Sequence, residues 1–353
     1  MNDSKDLVQR TLDQRIFRQT RATIIRLFVL ALMPSLACAQ DLYQALKDPQ
    51  SPAEIAYTRY FTKDRFGRKI TFYINGDQSQ PLPIVVSVLG SGAFSNFIRR
   101  DGRILDGHRT PRELFGQRAH ILIVEKPGVD FLEQHPNSGT AVDGSPEFRR
   151  QHTLDRWAEA ISSAVRAART LPLADKSKCL LIGHSEGGLT VARVAAENPF
   201  VTHVATLAGS GPTQLFDFLE SARNGALYDS LPRDPAAQVS RLLADVAAIY
   251  SDPDNPDKFF FGHPYPRWSS YLEASTTDEL SKTNARIFIG RGTAEGAIAV
   301  QSFDVLYATL LSRKKDVTAR LVVGADHAFQ FRDQPKRDGW NEIYEAVRDW
   351  FFR

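Results

Sequence analysis

The sequence contains very little cysteine, because only Cys38 and Cys179 occur among 353 residues. A fold stabilised by several disulfides is therefore excluded. No spacing of histidine, cysteine and carboxylate residues is typical of a metal site, and no phosphate loop is present. No basic groove with interleaved aromatic residues predicts nucleic-acid binding. We expect a protein without metal, cofactor or nucleic-acid partner.

No apolar run is long enough for a comfortable membrane span, which needs about 20 residues. The first 39 residues instead have the layout of a secretory signal peptide. Arginines precede a mostly apolar stretch of about thirteen residues that begins at Leu27, and Ala37-Cys38-Ala39 fits a cleavage site before Gln40. We expect cleavage there, a periplasmic or secreted protein, and no stable membrane span afterwards. An uncleaved anchor and a lipoprotein attached through Cys38 remain alternatives.

Charge of either sign is not in excess once this segment is removed. The whole chain has 44 Lys and Arg against 41 Asp and Glu, for a formal net charge of +3. Residues 1–39 hold six of the basic and three of the acidic residues, which leaves 38 of each in residues 40–353. The basic excess therefore belongs to targeting and says nothing about polyanion binding.

From about residue 68 the sequence alternates between β-rich runs and amphipathic segments. The runs are mostly continuous apolar stretches, as expected for strands buried on both faces; they cover residues 68–75, 83–90, 120–127, 178–183, 201–209, 285–292 and 318–324. The helical patterns cover residues 154–171, 187–199, 299–315 and 340–352. This order predicts an α/β fold in residues 40–353, with a mostly parallel sheet and helices on both faces.

Two connections are too long for this scheme. Residues 129–153 are interpreted as an extended loop, and residues 210–284 as a helical cap segment inserted over one end of the sheet. Aromatic side chains in the cap segment either line an apolar substrate pocket or fasten the cap to the body; they are Phe259, Phe260, Phe261, Tyr265, Trp268 and Tyr271.

Residues 183–187 read GHSEG, a G-x-S-x-G pattern between a predicted strand and a predicted helix. A strand followed at once by a helix must reverse direction within about two residues, which exposes the serine hydroxyl above the sheet. Side chains at Gly183 and Gly187 would collide in so tight a bend. The pattern predicts Ser185 as a nucleophile, and the alternative is a helix-capping serine after a glycine hinge.

A serine hydroxyl becomes a strong nucleophile when an imidazole removes its proton and a carboxylate orients that imidazole. His327 follows the predicted strand 318–324 and is the candidate base, unless it is an ordinary surface-loop histidine. Glu295 lies just beyond the predicted strand 285–292 and is the candidate acid, with Asp304 and Asp326 as poorer fits. The order serine, acid, histidine is that of α/β sheets with this turn.

The reaction also requires two N–H donors for the developing oxyanion. We expect one from the backbone of Glu186, and the other from the glycine-rich turn 89–96, with Ser91 favoured over Gly92. An ordinary glycine turn is the alternative. Lys126, at the end of a predicted strand, either attracts an anionic substrate group or is a solvated loop lysine.

These motifs resemble those of the α/β-hydrolase superfamily from about residue 68 onward. GHSEGG resembles its nucleophile elbow, LGSG its oxyanion loop, GTAEGAIAV its acid turn and GADHAF its histidine loop. GHSEGG and EKPGV (125–129) are similar to the prolyl-oligopeptidase-like and dienelactone-hydrolase-like branches. The chain differs in having Glu295 where aspartate is more usual, and LGSG lacks the histidine of the common HG motif. The resemblance implies this fold and acyl transfer to water.

Three functions are compatible with these residues. The favoured one is an exported serine hydrolase that cleaves carboxylic esters of small molecules through a Ser-His-Glu triad and an acyl-enzyme. The second is a serine peptidase or amidase, for which Glu220, Asp252 and Asp254 are candidate ligands of a substrate amine. The third is a non-catalytic binding module on the same scaffold.

Overall fold

The structure is a computed structural model that describes residues 43–76, 78–137 and 139–353. The predicted signal peptide, residues 1–39, lies outside the described residues, so export stays a prediction. Among the described residues, no helix is both long enough and apolar enough to cross a lipid bilayer.

The described strands form a nine-stranded sheet and two separate hairpins. In chain order they are β1 Leu46–Lys47, β2 Tyr57–Lys63, β3 Lys69–Asn75, β4 Leu82–Val88, β5 Phe97–Arg100, β6 Arg103–Asp106, β7 His120–Val124, β8 Ala174–His184, β9 His203–Leu207, β10 Phe259–Phe260, β11 His263–Pro264, β12 Arg286–Gly292 and β13 Val317–Val322. The large sheet has the order β1-β2-β3-β7-β4-β8-β9-β12-β13. Strands β5 and β6 form one hairpin, and β10 and β11 the other.

The described helices alternate with these strands. They are α1 Arg109–Phe115, α2 Pro146–Gln151, α3 Leu154–Ala168, α4 Glu186–Glu197, α5 Gln214–Arg223, α6 Pro235–Ser251, α7 Tyr265–Tyr271, α8 Thr276–Lys282, α9 Val300–Ser312 and α10 Gly339–Phe351. Several begin at a side-chain cap: Ser145, Thr153 and Thr213 each accept a hydrogen bond from a backbone N–H in the first turn.

The sheet is parallel from β7 to β13, and only β1, β2 and β3 join it antiparallel. Neighbouring residues in a strand pack on opposite faces: Ile84 and Leu181 contact the core under α3, α4 and α9, whereas Val85 and Ile182 contact the core under α1 and α10. Both faces are buried, which explains why these strands are continuous apolar runs. The predicted, mostly parallel sheet covered on both faces is confirmed.

Helices α5, α6 and α7 in the cap segment have a small apolar core of their own, which contains Leu242, Ile249 and Trp268. The last helix of the segment behaves differently, since Leu280 of α8 packs in the main core beside the sheet. Helix α8 therefore belongs to the main core and not to the small core of α5, α6 and α7. The boundaries of a separate cap unit stay a proposal.

Several elements differ from the predictions. Residues 129–153 are not entirely extended, because α2 forms there with Ser145 as its cap and Pro146 at its first position. Strand β2 lies ahead of the first predicted strand, and the β5–β6 hairpin lies within residues that carry no strong apolar pattern. Half-buried antiparallel strands give a weaker sequence signal than strands buried on both faces.

Candidate active site

Ser185 lies in the turn between β8 and α4, at the carboxyl edge of the parallel strands. Its backbone has φ 55° and ψ −121°, a conformation that residues with a side chain rarely adopt. The N–H of Ser185 donates to the carbonyl of Leu207 at 2.9 Å, and its carbonyl accepts from Gly188 at 2.9 Å. These bonds hold a strained turn that directs the hydroxyl away from the sheet.

The glycine before this turn is required by a close backbone approach. A Cβ atom at Gly183 would lie 2.1 Å from the carbonyl oxygen of Gly187, far inside van der Waals contact. A Cβ atom at Gly187 would lie 2.7 Å from the carbonyl oxygen of Val88. The α4 helix can therefore cross the end of β4 and β8 only without side chains at these positions.

The structure brings Ser185, His327 and Glu295 together at this edge. His327 Nε2 lies 3.1 Å from Ser185 Oγ, and His327 Nδ1 lies 2.8 Å from Glu295 Oε2. Because an ionised carboxylate only accepts hydrogen bonds, Nδ1 is the donor. In the neutral imidazole, Nε2 then carries the lone pair that faces the serine hydroxyl, which is the tautomer that a general base requires.

The other two candidate acids are elsewhere. Asp304 is exposed on α9. Asp326 caps the histidine loop, since its Oδ1 accepts from the N–H groups of Ala328 and Gln330, both at 2.9 Å.

Glu295 is held as an anion by its own turn. Its Oε1 accepts from the backbone N–H of Ala297 at 2.7 Å and of Ile298 at 3.2 Å. Burial acts to raise its pKa, but the hydrogen bond and charge of His327 and these two N–H groups outweigh burial, so the pKa of Glu295 is lowered. The carboxylate is thus ionised at neutral pH and fixes the imidazole.

His184, next to the nucleophile, positions the histidine loop. Its Nε2 donates to the backbone carbonyl of His327 at 2.9 Å, and its ring packs against those of His327 and Trp340. Burial lowers the pKa of His184 to about 4, so this ring is neutral at neutral pH. Sequence reasoning missed this contact, which joins residues 143 positions apart.

The predicted oxyanion donors lie next to the nucleophile. Glu186 is the first residue of α4, and the N–H of a first helical residue has no acceptor within its helix. Gly90, immediately before Ser91, packs on the nucleophile, because a Cβ atom there would lie 3.3 Å from Ser185 Cβ. Gly92 has φ 116°, in the region that favours glycine. Donation to an oxyanion by Ser91, Gly92 and Glu186 stays a prediction.

Both interpretations of Lys126 were wrong. Its side chain is neither solvated nor open to a substrate anion, because the residue is 5% exposed. Its ammonium donates to the backbone carbonyls of Gly90 at 2.7 Å and Gly92 at 2.9 Å. Lys126 is therefore buried and supports the glycine-rich turn 89–96.

Sequence reasoning missed a buried ion-pair cluster behind the nucleophile. The carboxylate of Glu186 accepts from Arg267 of α7, with Nε at 3.0 Å and Nη2 at 2.9 Å, and from His152 Nε2 at 2.9 Å. The three side chains are each at most 2% exposed. Burial acts to raise the pKa of Glu186, but His152 and Arg267 together have the larger, opposite effect. The pKa of Glu186 therefore lies well below its ordinary value.

We expect Arg267→Met to lower the free energy of unfolding by about 3–5 kcal/mol, because Glu186 would keep a buried charge without its partner. Because the pKa of Glu186 is lowered in the folded state, the ionised carboxylate stabilises the fold fully at pH values above the ordinary carboxyl range. This stabilisation is lost as pH falls through the folded-state pKa. The wild type and the variant should therefore converge in acid.

Chemical denaturation at pH 7, and at pH values stepped downward below the ordinary carboxyl range, measures both effects. Arg313→Met is the matched control, since Arg313 pairs with Asp278 at the surface and such pairs are worth about 0–1 kcal/mol. A variant at Arg267 that unfolds like the control at pH 7 would contradict the expectation.

The aromatic side chains of the cap segment differ in burial, and Phe259 and Tyr265 are half-buried. Phe260, Trp268 and Tyr271 are buried and pack within the described protein. Phe261, in contrast, is 44% exposed. The buried members therefore support the packing interpretation, and the partly exposed Phe261 also packs on the rings of Phe218, Tyr228 and Phe260.

The candidate amine ligands also differ in their surroundings. Glu220 pairs with Arg223 at 2.9 Å and Asp252 with Lys258 at 2.8 Å, and Asp254 is exposed. Glu220 lines an open cavity of about 340 Å³ that Asp217 and Glu295 also line. Among the described residues, no three His, Cys, Asp or Glu side chains are grouped so as to hold a metal ion.

No protein-family model and no curated protein matches the chain. Solved structures do. The chain is similar to Est1E from Butyrivibrio proteoclasticus with a TM-score of 0.52 and 16% identity, over 83% of this chain and 97% of that one. It is similar to the Pyrococcus horikoshii acylaminoacyl peptidase with a TM-score of 0.55 and 11% identity, over 85% of this chain and 42% of that one.

A third similar structure is a membrane phospholipase A described as a bacterial virulence factor. The TM-score is 0.51 and the identity 16%, over 98% of this chain and 99% of that one. At such identities the similarity concerns the fold. The parallel sheet, the strand-to-helix turn at Ser185 and these structural neighbours agree, and the chain therefore has the α/β-hydrolase fold.

Proposed function

We propose that this protein is an exported serine hydrolase that cleaves carboxylic esters of small molecules through an acyl-enzyme. The observation that carries the proposal is the chain of two hydrogen bonds from Ser185 through His327 to Glu295. The three residues come from different turns, and an accidental alignment of a hydroxyl, a correctly oriented imidazole and a carboxylate is improbable in a loop region.

In the proposed reaction, Ser185 Oγ attacks the ester carbonyl carbon while His327 Nε2 takes the hydroxyl proton. The carbonyl oxygen becomes an oxyanion that the N–H groups of Ser91 and Glu186 stabilise, with Gly92 as the second choice in the loop. When the C–O bond breaks, His327 returns the proton to the leaving alcohol. Water then attacks the acyl-enzyme by the same route and releases the acid and free Ser185.

Two observations bear on export and substrate class. Export rests on residues 1–39, whose layout is that of a cleaved signal peptide. The exposed Phe261 next to the buried aromatic cluster of the cap segment suits an apolar or aromatic acyl group. We therefore propose a periplasmic or secreted esterase whose substrates carry an apolar acyl chain.

The alternative is a serine peptidase or amidase on the same residues. It is favoured by the cavity that Asp217, Glu220 and Glu295 line, because an acidic cavity suits a substrate amine. In this alternative the leaving group is an amine, which His327 must protonate.

The test is a panel of p-nitrophenyl esters of increasing acyl length and aminoacyl p-nitroanilides, assayed with the purified protein. We expect measurable ester turnover, a maximum at an intermediate acyl length, and a fluorophosphonate adduct at Ser185 in the intact mass and peptide map. Anilide turnover without ester turnover would favour the alternative. Folded protein that neither turns over a substrate nor reacts with fluorophosphonate would favour a binding module.

A further inference from the structure

Lys126 connects the end of β7 to the loop that follows β4. Its ammonium donates to the carbonyl oxygens of Gly90 and Gly92, at 2.7 and 2.9 Å, from a side chain that is almost completely buried. The two carbonyls flank Ser91. A single buried cation thus holds both sides of the residue that the sequence favoured as an oxyanion donor.

The geometry of the peptide bond turns this contact into an orientation. In a trans peptide the carbonyl of one residue and the N–H of the next point in opposite directions. All peptide bonds of the described residues are trans. Because the carbonyl of Gly90 points to Lys126, the N–H of Ser91 must point away from it, in a loop that packs directly against Ser185.

We propose that Lys126 is a positioning residue that fixes the N–H of Ser91 as the second oxyanion donor. Without the ammonium, the peptide group between Gly90 and Ser91 is free to rotate, because the backbone dihedral angles of glycine are less restricted than those of any other residue. The inference rests on the proposed function and deepens it, since it names Ser91 rather than Gly92 as the donor. Lys126 itself contacts no substrate.

Neighbouring groups hold Lys126 and the rest of the loop in place. The adjacent Glu125 accepts from Ser95 Oγ at 2.7 Å, and from the backbone N–H and side-chain amide of Asn96 at 3.2 and 2.9 Å. Residues 125 and 126 therefore fasten the two halves of one loop. Burial lowers the pKa of Lys126 to about 8, opposed by Glu186 and Glu125. At pH 7 the side chain is accordingly an ammonium with three donors.

The test compares Lys126→Met with the wild type and with Lys315→Met. Lys315 also donates to a backbone carbonyl, that of Thr283 at 2.8 Å, but it precedes β13 at the opposite edge of the sheet. We expect Lys126→Met to lower kcat by about 10²–10³-fold, as loss of one oxyanion donor does, with KM changed by less than about threefold. Lys315→Met should leave both constants unchanged.

Two further measurements separate positioning from general support of the fold. A trifluoromethyl ketone forms a tetrahedral adduct with the serine, so its inhibition constant should weaken by the same factor as kcat/KM falls. Lys126→Arg, which keeps the charge and the donors, should retain kcat within about tenfold. In Lys126→Ala, added n-propylamine should restore part of kcat.

The outcomes are distinguishable. An unchanged kcat in folded Lys126→Met would overturn the inference and leave the esterase proposal intact. Loss of kcat in Lys126→Met and Lys126→Arg alike, with a lower melting temperature and no amine rescue, would also overturn it, because support of the fold would explain everything. A wild type without ester turnover or fluorophosphonate labelling would overturn the proposed function and the inference together.

Discussion

Ser185→Ala is expected to lower kcat/KM for the best p-nitrophenyl ester by about 10⁴–10⁶-fold, because the acyl-enzyme loses its only attachment point. A residual rate above that in water should remain, since the proposed oxyanion donors, Glu186 and Ser91, would still bind the carbonyl oxygen of a substrate attacked by water. KM should change little. Initial rates over a wide range of enzyme concentration measure the loss, with fluorophosphonate labelling as the direct check on the hydroxyl.

The companion variants test whether the residues act as one unit. His327→Ala should cost about as much as Ser185→Ala, and the double variant should be no worse than either, because a base without its nucleophile has nothing to deprotonate. His135→Ala is the control, since His135 contacts Glu133 in a loop. Losses that add in the double variant, or an active Ser185→Ala protein, would contradict the triad.

Glu295→Gln is expected to lower kcat by about 10³–10⁴-fold through the tautomer of the imidazole rather than through lost packing. Two backbone N–H groups, of Ala297 and Ile298, already donate to one oxygen of the side chain. A glutamine must therefore keep its carbonyl oxygen toward them and direct its NH₂ group at His327 Nδ1. The proton of the imidazole then moves to Nε2, which faces Ser185 and can no longer accept.

The conservative variant and pH complete this test. Glu295→Asp keeps the charge but shortens the reach, so we expect a smaller loss than in Glu295→Gln. The lowered pKa of Glu295 means that the carboxylate stabilises the fold above the ordinary carboxyl range and loses this effect as pH falls through the folded-state value. Glu295→Gln should flatten the acid part of the stability profile. Equal kcat in the glutamine variant and the wild type would remove Glu295 from the proposed mechanism.

Much of the fold could be predicted because its signals are local. Each central strand is a short apolar run, and Ser185, Glu295 and His327 all follow such runs closely. Parallel strands end at one edge of the sheet, so chain order alone places the three turns together. The predicted helix near Ala299 is observed as α9, which begins at Val300.

The supports of the site could not be predicted in this way. Arg267 and Glu186 are 81 positions apart, and Lys126 is 36 positions from Gly90. Such pairs have no spacing that separates them from ordinary surface charges. A basic residue at a strand end is solvated more often than buried, and only the fold shows that the loop after β4 covers Lys126.

The order of the three turns has a consequence for when the proposed triad can form. His327 follows β13, an edge strand that pairs with β12 in the nine-stranded sheet. A chain in which β9 and β12 have assembled but β13 has not docked would hold Ser185 and Glu295 without the proposed base. We therefore expect the proposed triad to be complete only once this last strand has docked.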